Sequence, residues 1–227
     1  DLHGEDERLA SALEWLHGQQ VDALVCTGDI ADGRGCINQS CSLLIQADVA
    51  VVAGNHDRWL LQDRVRHIAD AHRAEQLTDD TLEFLQKLPR QRRLQTLLGD
   101  LMLCHGVADN DLAKVWPGTA QSSVRRSEEL DSLIADRDYR FLINGHMHFR
   151  VLIDFPELLL VNAGTLKGEY GGISVADFAS DQISAYEIGD DLIPQCVSEH
   201  TLTSTSRRIW ADTQDFDGDW KPVTLYA

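Results

Sequence analysis

A chain of 227 residues, 43% of them hydrophobic and 25% charged, can bury one large core or at most two small ones. Its net charge of −17 argues against nucleic acid as the main partner, because phosphate backbones are held by Lys and Arg; the charge reads first as solubility. No apolar stretch approaches the ~18 residues of a membrane span, and no basic, apolar leader opens the sequence, so a cytoplasmic protein with no membrane partner is the expectation.

With no Pro/Gly/Ser-rich linker and no internal repeat, residues 1–227 are expected to form one domain. Asp1-Leu2-His3-Gly4 looks like the end of a strand followed by a turn, so a first strand is expected before residue 1. Residues 5–18 carry Leu9, Leu13 and Leu16 at helical spacing with acids early, which predicts an amphipathic helix. Short apolar runs at 21–26 and 49–53 predict buried strands ending at Gly28-Asp29 and Gly54-Asn55-His56, with a helix over 37–46 between them. That rhythm implies parallel βαβ units. Helices are expected over 58–74 and 79–87, the second capped by Thr78 and stopped by Pro89.

From Arg93 the texture changes. Residues 94–98 and 101–105 predict a hairpin around Gly99-Asp100, and 123–136 a helix. Short strands are expected at 140–143, 149–153, 158–162, 173–177 and 183–188. Two stacked sheets with helices outside would bury all of these elements. From about residue 197 the chain reads as a poorly defined polar extension. Asp215, Asp217 and Asp219 are spaced a little like a calcium loop but lack its turn Gly and closing Glu, so a solvated tail is expected. The five cysteines are odd in number and contain no CxxC pair, which suits reduced thiols, with Cys26 and Cys104 in the core.

Metal-ligand side chains recur at the ends of the predicted strands. In order they are Asp1-x-His3, Gly28-Asp29, Gly54-Asn55-His56-Asp57, His105-Gly106 and Gly145-His146-x-His148. Asp1 and His3 alternate along an extended segment, as do His146 and His148, so each pair can face one ion. Asp29, at the tip of a buried strand, is the candidate bridge between two cations. Each piece alone is common by chance. Five in one order, at the place where active sites gather in open α/β sheets, point to two divalent metals and metal-assisted hydrolysis of phosphate esters. Two carboxylates against two such cations leave about two positive charges, enough to attract a phosphate dianion.

This series resembles the calcineurin-like metallophosphoesterase superfamily, in particular its small bacterial and archaeal phosphodiesterases and phosphatases. The motifs span residues 1–148, and Asn162-Ala163-Gly164 resembles a further family feature. The resemblance implies an α/β fold, a four-layer αββα sandwich of two mixed β-sheets flanked by helices. It implies one metal on Asp1, His3, Asp29 and His148, and another on Asp29, Asn55, His105 and His146. A metal-bridging hydroxide would attack a phosphomonoester or phosphodiester, with His56 assisting the leaving group and Asp32 orienting His56. Mn is the first expectation for the metals, with Fe, Ni or Zn as alternatives. The sequence departs from the family pattern at Asp32-Gly33-Arg34-Gly35, where an Asp-Arg-Gly is usual in the protein-phosphatase branch. Arg34 and Arg58 are therefore both candidates for gripping phosphate, beside Asn55. The implied partner is a small phosphorylated substrate or a phosphoprotein.

Two other readings compete. A catalytically silent protein-binding scaffold on the same fold would show lost ligands, yet every expected ligand type is present. A nuclease would show a basic stripe with interleaved aromatics, and Arg90-Gln91-Arg92-Arg93 is the only basic cluster of note. Trp59 and Trp116 are read as packing residues.

Overall fold

Residues 1–218 and the strand Val223–Thr224 are described by the structure, a computed structural model. In chain order the first elements are α1 (Asp6–Gly18), β1 (Val25–Cys26), α2 (Ile37–Gln46), β2 (Ala50–Val51), α3 (Asn55–Leu61) and α4 (Asp79–Lys87). Then come β3 (Gln91–Thr96), β4 (Gly99–Cys104), α5 (Glu128–Asp136), β5 (Phe141–Asn144), β6 (Arg150–Phe155) and β7 (Leu158–Ala163). The last are β8 (Gly172–Asp177), β9 (Gln182–Ile188), β10 (Pro194–Thr201) and β11 (Val223–Thr224).

Side-chain alternation along the strands sets the layers. A six-stranded mixed sheet runs β11-β6-β7-β5-β4-β3, its β4, β5 and β7 parallel. Leu101, Leu103, Phe141, Leu152, Leu159 and Val161 turn to one face and pack on Ile183 and Ala185 of β9. Met102, Cys104, Leu142, Val151, Ile153, Leu158 and Leu160 turn to the other, against Leu130 and Ile134 of α5. The parallel pair β1-β2 and the antiparallel sheet β10-β9-β8 form the other strand layer. Leu9, Ala12, Ile37, Cys41, Leu44, Leu60 and Leu85 of α1 to α4 pack with Val51 and Ile188 of that layer. The result is a helix–sheet–sheet–helix stack, the four-layer arrangement expected. β1 and β8 both border a cleft of about 990 Å³, lined also by Leu9, Leu13 and Leu16 of α1. Among the described residues no helix is long and apolar enough to cross a membrane.

Several element expectations need correction. The helix expected over 58–74 ends at Leu61. The N–H groups of Gln62, Asp63 and Arg64 fold back onto carbonyls of Arg58, Leu60 and Trp59, and Asp63 is left-handed (φ 55°). Beyond that point Val65 and Ile68 are the only large apolar side chains up to Arg73, too few for a packed stripe. The helix expected from 123 starts at Glu128, because Ser127 caps it by accepting from Leu130 N–H. The hairpin turns at Leu97-Leu98, one pair before Gly99-Asp100.

The expected solvated tail is structured for most of its described length. β10 pairs with β9 up to Thr201, and Trp210 and Phe216 are buried in the core beneath α5. Their apolar surface was present in the sequence but spaced too widely to read as an element. Asp215 accepts from Ala211 N–H and Asp217 pairs with Arg208, so neither is part of a calcium loop. Asp219 lies outside the described residues.

Candidate metal centre

The strand layer that carries β1 and β2 delivers its loops to one end of the sandwich. Leu2 and His3 N–H groups bond the Asp29 carbonyl at 3.0 and 2.7 Å, and Gly4 N–H bonds that of Ile30 at 2.9 Å, so the opening segment is fastened to the loop after β1. His3, Asp29, Asp32, His146 and His148 all have positive φ, between 47° and 67°. Left-handed backbone is costly for such residues, and their concentration here holds the side chains inward. The glycines beside them permit close approach. A β-carbon on Gly54 would lie 2.1 Å from Asp29 Oδ1, and one on Gly145 would lie 2.1 Å from Asp1 Oδ1.

Two donor sets result, sharing Asp29. The ligand atoms of Asp1, His3, Asp29 and His148 lie within 4.8 Å of one another, as do those of Asp29, His105 and His146. His3 Nε2 is 3.0 Å from His148 Nε2, and His148 Nε2 is 3.3 Å from Asp1 Oδ2. His105 Nε2 is 3.2 Å from Asp29 Oδ2, 3.0 Å from Asn55 Oδ1 and 3.2 Å from His146 Nδ1. All seven residues expected as metal ligands are thereby brought together.

The donor chemistry fits divalent ions. His105 Nδ1–H donates to the Thr27 carbonyl (2.8 Å) and His3 Nδ1–H to those of Ala31 and Asp32 (both 3.2 Å). These bonds fix the tautomers and leave both Nε2 lone pairs facing the centre. Burial lowers His3 to about 3 and His146 and His148 to about 4, so the rings are neutral at pH 7. Asp29 is held below the usual carboxylate range, and so ionised, despite the burial that pushes it up. Asp29 Oδ1 accepts from His56 N–H at 2.8 Å, which leaves Oδ2 directed between the donor sets. The His148 side chain is 41% exposed and marks the open side.

At that rim His56 Nε2 stands 3.8 Å from Asp29 Oδ2, and its Nδ1 is 2.7 Å from Asp32 Oδ2. Trp59 packs on the His56 ring with centroids 5.0 Å apart. Trp116 is buried in the core. The two candidate phosphate grips part company. Arg58 is clamped by Asp111 through two bonds of 2.6 and 2.9 Å, whereas the Arg34 side chain is 86% exposed, 3.9 Å from Asp70. The structure does not bring Arg34 to the donor sets.

Two residues without a sequence assignment matter to the site. Asp57, fully buried, accepts from the N–H groups of Ile30, Ala31 and Gly54 at 2.8 to 3.0 Å, tying the loop after β1 to the start of α3. Its signal was an acid in the first turn of a helix directly after two ligand-type residues. His72 bonds both ends of Asp32. Nothing in the sequence around it distinguishes it from a surface histidine.

A model of the calcineurin-like phosphoesterase superfamily domain matches residues 1–180. Among solved structures, the chain is similar to a hypothetical protein from Pyrococcus horikoshii OT3, with a TM-score of 0.62 and 13% identity over 82% of this chain and 84% of that one. It is similar to the phosphoesterase Yfce from E. coli, with a TM-score of 0.53 and 15% identity over 89% of this chain and 96% of that one. It is also similar to a Vps29 variant from Entamoeba histolytica, with a TM-score of 0.51 and 17% identity over 83% of this chain and 87% of that one. At these identities the likeness is one of fold. No curated protein matches the sequence significantly.

Proposed function

Because the chain belongs to the calcineurin-like phosphoesterase superfamily, we propose that it is a metal-dependent hydrolase of phosphomonoesters or phosphodiesters. One cation would sit on Asp1, His3, Asp29 and His148, and a second on Asp29, Asn55, His105 and His146, with Mn as the first choice for this mixed N/O set. Bound there, the ions would supply charge to offset the phosphoryl oxygens and acidity to make water a nucleophile at neutral pH. The observation that carries the reading is the outward bonding of His3 and His105 to backbone carbonyls, which turns two neutral imidazole nitrogens onto the shared Asp29 carboxylate.

The chain's own residues provide the rest. His56 donates Nδ1–H to Asp32, which fixes the ring with Nε2 turned toward the centre. A proton held there can pass to the ester oxygen as its bond to phosphorus breaks. Trp59 covers one side of His56 and limits its access to water. Asn55 and Arg58 are the proposed substrate contacts, and the substrate is a small phosphorylated compound or a phosphoprotein segment.

The test is metal content, then hydrolysis of p-nitrophenyl phosphate and bis-p-nitrophenyl phosphate with Mn²⁺, for the wild type and Asp29→Asn. Bound metal and turnover, with the variant at least ~100-fold slower, are expected. Metal-loaded protein that hydrolyses neither ester would transfer the assignment to a silent scaffold. The ester preferred separates phosphatase from phosphodiesterase.

A further inference from the structure

We propose that His72 is a positioning residue for the His56–Asp32 pair; the proposal rests on the phosphoesterase reading above. Asp32 sits in Asp32-Gly33-Arg34-Gly35, a loop with two glycines and a left-handed φ of 67° at Asp32 itself. Such a segment has little intrinsic stiffness. Its neighbours in the chain do not hold the Asp32 carboxylate in one plane, yet an orienting carboxylate is useful only if it is held.

His72 supplies the restraint from outside the loop, reaching it from the segment between α3 and α4. Its backbone N–H donates to Asp32 Oδ1 at 3.0 Å, which leaves Oδ2 to accept from His56 Nδ1 at 2.7 Å. Its ring Nδ1 accepts from Asp32 N–H at 3.0 Å. An accepting Nδ1 requires the proton on Nε2, and that atom faces the Gly35 carbonyl at 3.2 Å as a donor. One imidazole therefore closes both ends of the glycine loop, and by holding that loop it keeps Asp32 Oδ1 in reach of the His72 main-chain N–H. The ring also packs against Gly4, where a β-carbon would come within 3.1 Å of it. His72 is 8% exposed, so water does not replace these bonds cheaply. None of its hydrogen bonds goes directly to a proposed metal ligand, but the Asp32 carbonyl also accepts from His3 Nδ1–H, so the test must separate proton delivery from loss of metal.

The readout is leaving-group dependence in His72→Ala, His72→Phe and His72→Asn, each assayed with Mn²⁺ on p-nitrophenyl phosphate and on phenyl phosphate. The poorer leaving group needs the proton more. His72→Ala should slow phenyl phosphate turnover ~30-fold or more but p-nitrophenyl phosphate only ~3-fold, through kcat with KM little changed. His72→Phe keeps the ring volume without the acceptor and should behave alike, which covers the case where the Ala variant fails to fold. His72→Asn, with an oxygen able to replace Nδ1, should recover most of the loss. Equal slowing of both esters, or none, would overturn the proposal. A second readout does not need turnover. The downfield Nδ1–H proton resonance of His56 in the metal-free protein should broaden or vanish in His72→Phe and return in His72→Asn. An unchanged resonance overturns the positioning role, whereas a wild type without turnover overturns only the enzyme reading.

Discussion

Burial keeps three of the site's imidazoles uncharged, His3 at about 3 and His146 and His148 at about 4. Each folded-state value lies below that of an unfolded histidine, so as pH falls the unfolded chain takes the protons first. Stability is therefore intact above about pH 6.5 and declines as pH drops towards 4. For His3 the loss is ~2 kcal/mol at pH 5, with less from His148, whose side chain is 41% exposed. The metal-free protein should show a lower urea midpoint at pH 5 than at pH 7.5. His3→Asn, which cannot take the proton, should shrink the difference. Midpoints that do not move, or a variant that changes nothing, would mean these rings are not desolvated. At the same scale the sequence was informative because candidate ligands are written in residue types: Asp, Asn and His beside glycines have few structural uses in one repeated order. Asp57 left only the signal of an acid in a first helical turn, and His72 left none, because their bonds go largely to main-chain groups far along the chain, which any sequence can supply.

At the level of elements, legibility followed periodicity. α2, α4, β7 and β9 were readable because an apolar stripe or run coincides with the element, and Thr78 caps α4 as expected. α3 was misjudged because its short span, Asn55–Leu61, exists to present His56 and Asn55 rather than to bury a stripe. β10 was missed because its pattern mixes polar residues on both faces, and its pairing with β9 supplies what its side chains do not. The link between α3 and the loop after β4 was equally invisible. It consists of Arg58 and Asp111, joined by hydrogen bonds of 2.6 and 2.9 Å. Arg58 follows Asn55 and His56 on α3, so its guanidinium is the cation that this helix carries beside the site. Asp111→Asn should release that charge at a stability cost within ~1 kcal/mol, since the pair is partly exposed. KM for p-nitrophenyl phosphate, a dianion, should fall ~3-fold and that for the singly charged bis-ester by about half that free energy, ~1.7-fold. Equal changes in both would mean that Arg58 does not face the phosphoryl group.

Across the whole molecule, the donor sets join parts that the core keeps separate. Asp1, His3, Asp29 and Asn55 hang from the layer of β1 and β2, whereas His105, His146 and His148 hang from the ends of β4 and β5 and the start of β6. The layers also meet through apolar contacts such as Leu103 and Val161 against Ile183 and Ala185, and through bonds such as Arg92 to the Val51 carbonyl. Ions held between them would bind the folded state alone and cross-link the sandwich at the end that carries the loops after β1 and β2. Mass action then sets the gain at ~2.7 kcal/mol when free metal is a hundred times its dissociation constant. For a chain of 227 residues this corresponds to a rise in Tm of about 5–10 °C. Adding Mn²⁺ to chelator-treated protein should produce that rise in a thermal melt, and Asp29→Asn should abolish most of it by removing the one carboxylate that belongs to both sets. His56→Asn, which leaves every ligand in place, should retain the shift while losing turnover. A metal-induced rise that survives in Asp29→Asn would locate the ions elsewhere, because no other residue stands in both donor sets.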